Sequence, residues 1–206
     1  MPSLYERHVL PRMLDFVMRQ EPIMRQRAKV VPRASGRVLE IGIGSGLNLS
    51  FYDRTKVESV VGLDPSPELR AMAERRAREA GLDVEWIPLG GESIPLDDAS
   101  VDTVLTTYTL CTIPGVERAL GEMRRVLRPG GRLLFSEHGR APDEGVRRWQ
   151  DRLNPLWKRI GGGCNLNRPV EEMVRRGGFE PEDLQAMYLP GPRPMTFTTW
   201  GSALRA

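Results

Sequence analysis

The 206-residue sequence has few of the residues from which proteins build covalent or metal cross-links. It contains two cysteines, Cys111 and Cys164, and two histidines. A small secreted domain needs several cysteine pairs, and a cysteine-based metal site usually needs more than two. From composition we therefore expect neither a disulfide framework nor a metal centre.

Long apolar runs and strong charge of one sign are also lacking. No stretch approaches the ~20 consecutive apolar residues that a membrane-spanning helix needs, and the first residues lack the apolar core of a signal peptide. The formal net charge is +3, too slight to indicate a nucleic-acid partner. We expect a cytoplasmic protein with no integral membrane segment and no nucleic-acid partner, and the sequence leaves its oligomeric state open.

Glycine and proline are abundant, with 21 and 17 residues, too many for a helical bundle. From Arg37 onward, short β-rich runs alternate with amphipathic stretches, which is the pattern of an α/β domain with a mostly parallel sheet. Helices are predicted to begin near Ser66, Val116 and Pro169, and residues 139–168 are expected to be the least regular part. Seven strands are predicted, at residues 37–42, 59–64, 83–88, 101–108, 131–137, 184–189 and 195–205.

The first 35 residues have a broad apolar face interrupted by Pro11 and Pro22. Two interpretations stay open at this point. The apolar face either covers one side of the sheet or forms a lid that closes over a ligand and excludes water.

A glycine-rich loop follows the first predicted strand. Gly42, Gly44 and Gly46 alternate with other residues, and a helix is expected after them. Such a loop lets the backbone approach a ligand closely. The dinucleotide-binding fingerprint places its third glycine five positions after the first, where Leu47 stands, so the spacing disfavours a dinucleotide.

The next predicted strand ends at Asp64, at the same edge of the sheet as the glycine loop. A carboxylate there can accept hydrogen bonds from both ribose hydroxyls of a nucleoside. Together, the loop and this carboxylate predict a nucleoside-containing cofactor.

Four motifs occur in the order found in class I S-adenosylmethionine-dependent methyltransferases, and over residues 37–138 the sequence resembles that family. They are Glu40-Ile-Gly-Ile-Gly-Ser-Gly46, Asp64-Pro-Ser66, Gly91-Glu-Ser-Ile-Pro-Leu-Asp-Asp-Ala-Ser-Val-Asp-Thr-Val and Glu122-Met-Arg-Arg-Val-Leu-Arg-Pro-Gly-Gly-Arg-Leu. The resemblance implies S-adenosylmethionine as cofactor. It also implies a Rossmann-like fold. We expect a seven-stranded mixed sheet with helices on both faces, a terminal antiparallel hairpin and an N-terminal helical lid.

The same resemblance implies roles for individual residues. The glycine loop would accommodate the methionine part of the cofactor, Glu40 would steady that loop, and Asp64 would hold the ribose. Gly90 and Gly91 stand before Glu92, where the family often has an aspartate. The adenine amino group would therefore form its hydrogen bond with the backbone or with Glu92. The residues expected to bind the cofactor are Glu40, Gly42, Ile43, Gly44, Gly46, Asn48, Asp64, Pro65, Gly91, Glu92, Ser93, Thr107 and Tyr108.

The C-terminal third resembles the methyltransferase-like thiol S-methyltransferases through Ser136-Glu-His-Gly139 and through Asn154 to Arg168. This resemblance implies a small, apolar methyl acceptor, with a thiol sulfur as the first choice. A phospholipid or quinone acceptor is the alternative within the same fold, and a non-catalytic cofactor-binding module is the alternative outside enzymes.

His138 and Tyr108 are the candidate catalytic residues. His138 follows the fifth strand and either accepts a proton from a thiol or is a polar residue bonded to the next loop. Cys111 is expected to pack as a small hydrophobe. Tyr5, Trp157, Cys164 and Asn165 are expected to border the acceptor. The whole chain is predicted to be one domain, with a lid at 1–35, a cofactor-binding core at 36–138 and an acceptor-side part at 139–206.

Overall fold

The computed structural model describes residues 4–206, and residues 1–3 of the predicted N-terminal segment lie outside the described part. It contains one mixed sheet with the strand order β3-β2-β1-β4-β5-β8-β6, and β7 pairs with β8. The strands are β1 Gly36–Ile41, β2 Val57–Leu63, β3 Val84–Ile87, β4 Val101–Thr107, β5 Leu127–His138, β6 Phe179–Pro181, β7 Gln185–Tyr188 and β8 Phe197–Arg205. The predicted fold class is confirmed, and the described sheet has one short strand, β6, in addition to the seven predicted.

The first five strands are parallel, and β8 runs antiparallel to β5, β6 and β7. Strands β1 and β4 are buried along most of their length, as expected for central strands covered on both faces. Because β1, β2, β4 and β5 are parallel, their carboxyl ends meet at one edge of the sheet, where α/β folds bind ligands.

Helices lie on both faces of the sheet. They are α1 Leu10–Met18, α2 Glu21–Val30, α3 Pro67–Ala80, α4 Val116–Val126, α5 Glu144–Ile160, α6 Val170–Arg176 and the short α7 Arg193–Thr196. One apolar core joins α4 and α6 to the sheet, and a second joins α2 and α3 to its other face. Among residues 4–206, no helix combines the length and the hydropathy needed to cross a bilayer.

Helix α3 begins and ends as its sequence predicts. The Ser66 hydroxyl accepts a hydrogen bond from Leu69 N at 3.4 Å, and Gly81 ends the helix with a φ of +64°. These are the usual N-cap and C-terminal glycine arrangements. They fix the start of α3 at Pro67, three residues after Asp64.

The expectation that a helix follows the glycine loop is wrong. The chain forms only a short 3₁₀ turn, Leu49–Phe51. The side chains of Asn48 and Tyr52 instead point inward and bond the Glu40 carboxylate. These buried bonds hold the segment in an irregular path between β1 and β2.

The expectation that residues 139–168 are the least regular part is also wrong. They contain the 17-residue helix α5 with Pro155 inside it. Proline in a helix interior removes one backbone hydrogen bond and normally disfavours the helix. Here the strongly amphipathic pattern outweighs that local cost, and Gln150 anchors the helix through hydrogen bonds to the backbone of Gly139 and Ala141.

The N-terminal segment contains both a structural layer and a separate outer helix. The end of α2 is fully buried at Val30 against the sheet, so this part covers one side of the sheet. Helix α1 is held through Asp15, whose carboxylate accepts a 2.7 Å hydrogen bond from Arg76. Arg76 also donates to Ser45 O at 2.6 Å, which places α1 beside the glycine loop. Phe16, on α1, is 63% exposed.

Candidate active site

The three loop glycines all have positive φ, but they are required for two different reasons. A Cβ added at Gly42 would lie 2.4 Å from the Thr109 side chain, and one at Gly46 would lie 2.9 Å from the α3 backbone at Ala73. At Gly44 the nearest atom is 3.8 Å away. Gly42 and Gly46 therefore allow close packing, while Gly44 leaves open space where a ligand can approach the backbone.

Asp64 links this loop to the start of α3. Its carboxylate accepts hydrogen bonds from Gly44 N at 3.0 Å and from Ser66 N at 2.8 Å. Burial raises the pKa of Asp64 above its ordinary value, although both backbone bonds oppose the shift. Charge-assisted bonds of this kind fix the carboxylate in one orientation at the sheet edge.

A small pocket opens beside Asp64. It is lined by Ile43, Gly44, Gly62, Asp64, Arg70, Trp86, Ile87 and Pro88. An aromatic and several apolar side chains next to a carboxylate suit a nucleoside, with the base against the apolar surface and the ribose at the carboxylate. Trp86 was missed from the sequence because a tryptophan within a strand has no motif. Pro65, which was expected near the adenine, is exposed and does not line this pocket.

The Gly91 to Ser93 segment lies between β3 and β4. Gly91 is buried against Ile41 and Ala119, and Ser93 is exposed. The Glu92 carboxylate accepts a 3.3 Å hydrogen bond from Gly115 N, at the start of α4. A cofactor contact for these three residues stays a prediction.

A buried polar network lies beneath the glycine loop. Asn48 donates to Glu40 at 2.8 Å and to Thr107 Oγ1 at 3.0 Å, and the Tyr52 hydroxyl donates to Glu40 at 2.7 Å. Arg27 of α2 donates to Asn48 Oδ1 at 2.8 Å and to Thr107 Oγ1 at 2.6 Å. The network joins α2, β1, the loop and the end of β4 into one hydrogen-bonded unit.

Glu40 supports the loop from below through this network. Burial raises its pKa to about 7, against an ordinary value of 4.5, although the bonds from Tyr52 and Asn48 oppose the shift. Arg27 was missed from the sequence, because an arginine in an amphipathic helix usually faces solvent. In the structure it is only 5% exposed.

Tyr108, directly after β4, has a φ of +54°. This left-handed conformation is strained for a bulky residue and is concentrated at functional sites. Among the described residues, its buried hydroxyl has no hydrogen-bond partner. The Arg27 guanidinium lies 5.5 Å from the centre of its ring. Tyr108 is thus held at the sheet edge with a free polar atom, beside Thr107.

Glu137 is a buried carboxylate that the sequence did not single out. It accepts hydrogen bonds from Thr106 Oγ1 at 2.8 Å, Thr109 N at 3.0 Å and Leu110 N at 3.1 Å. Burial raises its pKa to about 8. These bonds show that Glu137 shapes the loop after β4.

The two cysteines meet, contrary to the expectation from composition. Cys164 Sγ lies 3.4 Å from Cys111 Sγ and 3.5 Å from His138 Nε2. The hydrogen bond from Cys164 lowers the pKa of Cys111 well below its ordinary value. Cys111 is therefore not merely a small hydrophobe, and two cysteines with one histidine do form a compact donor cluster.

Two side chains hold this cluster together. Asn165 donates from both its backbone N and its amide to Cys111 O, each at 2.9 Å. Arg168 donates to Leu110 O and, at 2.7 Å, to Ile113 O. Asn165 was expected to border the acceptor, but its amide is used to dock the 161–168 loop onto the loop after β4.

The other expected acceptor residues lie nearby. The Tyr5 hydroxyl donates a 2.8 Å hydrogen bond to Ile160 O at the end of α5. Trp157, also on α5, is partly buried, and its indole N–H has no partner among the described residues. Their contact with an acceptor stays a prediction.

Residues 39–135 match the family described as a methyltransferase domain. The demethylmenaquinone methyltransferase of Thermus thermophilus is 33% identical over 161 residues, which cover 75% of this chain and 73% of that protein. The glycine loop with its open Gly44 and the fixed Asp64 carboxylate fit the nucleoside cofactor of such enzymes. The chain belongs to the class I S-adenosylmethionine-dependent methyltransferases, and the expected family and cofactor are confirmed.

More particularly, the chain is similar to the human thiol S-methyltransferase TMT1B, with 40% identity over 167 residues. The match covers 77% of this chain and 66% of that protein, and for rat TMT1B the covered share is 64%. Among solved structures, geranyl diphosphate methyltransferase in complex with S-adenosylmethionine has a TM-score of 0.71 at 16% identity. That match covers 95% of this chain and 89% of the other, and it shows the shared fold.

Proposed function

We propose that this chain transfers a methyl group from S-adenosylmethionine to the sulfur of a small, apolar thiol. The observation that carries the proposal is the contact between Cys164 Sγ and His138 Nε2 at 3.5 Å. This contact supports the proposal, because it places the sulfur atom of Cys164 against the imidazole at this edge of the sheet. The 40% identity to human TMT1B supports the same acceptor class.

The cofactor would lie across the carboxyl ends of β1, β2 and β4. Asp64 would accept hydrogen bonds from the ribose hydroxyls, and the open backbone at Gly44 would face the methionine part. When bound, S-adenosylmethionine supplies a methyl group activated by the positive sulfonium. Positioning then contributes much of the rate acceleration, which suits a site stiffened by the Glu40 network.

The acceptor would approach from the side of Tyr108, His138 and Trp157. His138 would contact the acceptor sulfur, and its proton-accepting role stays a prediction. Glu137, the buried carboxylate at this edge, already accepts three hydrogen bonds, so it is poorly placed to bind an amine. This distribution of groups favours a neutral or thiolate acceptor over a charged amine.

A quinone-type carbon acceptor is the second candidate, because the Thermus thermophilus relative is a demethylmenaquinone methyltransferase. A matched set of acceptors separates the two candidates. We would measure S-adenosylhomocysteine formation with an alkyl thiol, the amine and alcohol of the same chain length, and a demethylated quinol. We expect turnover with the thiol alone. Turnover with the quinol alone would replace this proposal, and binding without any turnover would favour a cofactor-binding module.

A further inference from the structure

The cluster of Cys111, His138 and Cys164 lies beyond the carboxyl ends of β4 and β5, and none of the proposed cofactor contacts uses it. We propose that these three side chains bind one thiophilic divalent cation of the zinc class, with its fourth coordination position open to the acceptor thiol. The inference rests on the proposed function for the identity of that fourth ligand. The metal site itself rests on the geometry alone.

The spacing of the donor atoms suits such an ion. Zinc bound tetrahedrally, at ~2.3 Å from sulfur and ~2.0 Å from nitrogen, separates two sulfurs by roughly 3.8 Å and a sulfur from a nitrogen by roughly 3.5 Å. The corresponding distances are 3.4 Å between the cysteines and 3.5 Å between Cys164 and His138 Nε2. One ligand atom from each residue lies within 4.8 Å of the others.

The chemistry of the donors selects the class of ion. Two thiol sulfurs and one imidazole favour zinc and similar soft ions over magnesium or calcium, which take oxygen ligands. Catalytic zinc sites typically use three protein ligands and keep the fourth position open, whereas structural sites are closed by four. Three donors are present here.

The cluster is held in place before any ion binds. Asn165 fixes the Cys111 carbonyl, and Arg168 fixes the backbone on both sides of Cys111. His138 follows the last residues of β5, whose register with β8 extends to this position. The donors thus come from three segments already fixed by backbone contacts, which lowers the entropic cost of assembling a site.

The buried and open sides of the cluster also differ. Cys111 is 3% exposed, while Cys164 and His138 are only partly buried. An ion held by the three would be closed on the Cys111 side and accessible on the other. Tyr108 adjoins the cluster, because its carbonyl accepts a 3.6 Å hydrogen bond from Cys111 Sγ, and the Trp157 ring lies against Gly161, three residues before Cys164.

The open position gives the ion a chemical role in S-methylation. An acceptor thiol that coordinates the ion releases its proton to solvent, because a coordinating thiol is deprotonated. The sulfur lone pair then attacks the methyl carbon of the sulfonium. One carbon–sulfur bond forms and the other breaks, with its electron pair staying on the cofactor sulfur. The products are a neutral methyl thioether and S-adenosylhomocysteine, and no oxidant or reductant is needed.

Cobalt(II) titration of the reduced, chelator-treated full-length protein tests the site without reference to activity. We expect thiolate-to-cobalt charge-transfer absorption that saturates at one ion per chain and is abolished by added zinc. Cys164→Ser and His138→Gln should weaken binding at least tenfold. His8→Gln, at the other histidine, is the matched control and should bind as wild type. Absent charge-transfer absorption, or an unchanged spectrum in Cys164→Ser, would overturn the proposal.

Cys111→Ser is not used as a test, because Cys111 is buried and its replacement could unfold the protein. The wild-type protein provides a second measurement instead. Zinc at saturation should protect both cysteines from alkylation, as measured by intact mass, and equal alkylation with and without zinc would overturn the site. The rate of thiol methylation, measured beside metal binding, separates this inference from the proposed function. Metal binding without thiol methylation would refute the proposed acceptor only. Full thiol methylation by metal-free Cys164→Ser would refute the catalytic ion only, leaving His138 to act alone.

Discussion

Arg27 on α2 donates a 2.6 Å hydrogen bond to Thr107 Oγ1 at the end of β4, so the segment before the sheet reaches into the centre of the cofactor edge. The guanidinium is buried, and burial lowers its pKa below the ordinary value. The N-terminal part of the chain is therefore a component of the site as well as a cover for the sheet.

Replacing Arg27 by methionine should destabilise the protein and weaken cofactor binding. The change leaves the buried acceptor Asn48 Oδ1 without its partner, which costs roughly 1–3 kcal/mol in the free energy of unfolding. Urea denaturation and calorimetric titration with S-adenosylmethionine measure the two effects. Arg25→Met, in the same helix but exposed, is the control and should stay within about 0.5 kcal/mol of wild type. Equal stability of the two variants would refute the role of Arg27.

Gly42→Ala should reduce cofactor affinity much more than its backbone conformation alone explains. A methyl group at Gly42 would lie 2.4 Å from Thr109, so the loop and the residues after β4 would have to separate. Gly130→Ala is the control, because Gly130 also has positive φ but no atom within 4 Å of an added Cβ. We expect Gly130→Ala to lower stability by about 1 kcal/mol and leave binding unchanged. Similar binding by both variants would contradict the packing argument.

Asp64→Ala should weaken S-adenosylmethionine binding by roughly 10- to 100-fold, since hydrogen bonds to a charged group contribute about 1.5–3 kcal/mol. Calorimetric titration measures the affinity, and circular dichroism checks that α3 still forms. The exposed Asp97→Ala is the control. Unchanged affinity in Asp64→Ala would remove this carboxylate from the cofactor site.

Glu40 should make the protein less stable as pH rises toward neutrality. Its pKa is raised to about 7 in the folded protein, so between about pH 4.5 and 7 the unfolded chain releases a proton that the folded chain retains. The stabilising contribution is complete below pH 4.5 and is lost as pH rises through 7, a change of about 3 kcal/mol.

Glu40→Gln should therefore flatten the dependence of unfolding free energy on pH between about 5 and 7. Glu122→Gln is the control, because the hydrogen bond from Arg125 lowers the pKa of Glu122 to about 2. The titration of Glu122 changes the free energy of unfolding only below about pH 4.5. Replacing Glu122 should therefore leave the slope above pH 5 unchanged. An unaltered slope in Glu40→Gln would show that Glu40 is already ionised across this range.

Asp15→Asn should loosen α1 without unfolding the domain. Burial is the largest single influence and opposes ionisation of Asp15, but the hydrogen bonds with Arg76 and Ser45 and the charges of Arg76 and Arg19 together outweigh it and lower the pKa, so the pair is ionic near neutrality. Hydrogen exchange should become faster in α1 and at Ser45, whose carbonyl accepts from the same arginine. Glu21→Gln, in an exposed pair, should leave exchange unchanged. Slower turnover with faster exchange would support the predicted lid, whereas unchanged exchange would show that the ion pair does not hold α1.

The cofactor edge could be predicted from sequence because it depends on local signals. The alternation at Gly42, Gly44 and Gly46 and the carboxylate at Asp64 each follow a strand, and parallel strands bring their carboxyl ends together. The helix ends at Ser66 and Gly81 are equally local. The strand assignments succeeded because apolar, β-branched runs are typical of buried parallel strands.

The acceptor side could not be predicted in the same way, because its geometry depends on loop docking. Cys111 and Cys164 are 53 residues apart, and the hydrogen bonds from Asn165 and Arg168 help to bring their segments together. Arg27 was missed for a related reason, since its helix has a polar composition and tertiary packing decides which of its polar side chains are buried. Helix α5 was missed because Pro155 is a local signal against helix that tertiary contacts overcame.

The central claim is that a thiol sulfur accepts the methyl group. The most direct measurement supplies S-adenosylmethionine with a deuterated methyl group and a small alkyl thiol, and then identifies the product by mass spectrometry. We expect a deuterated methyl thioether formed in step with S-adenosylhomocysteine, and little product with His138→Gln. If the label appears on no thioether while the wild-type protein binds the cofactor, the thiol assignment is contradicted.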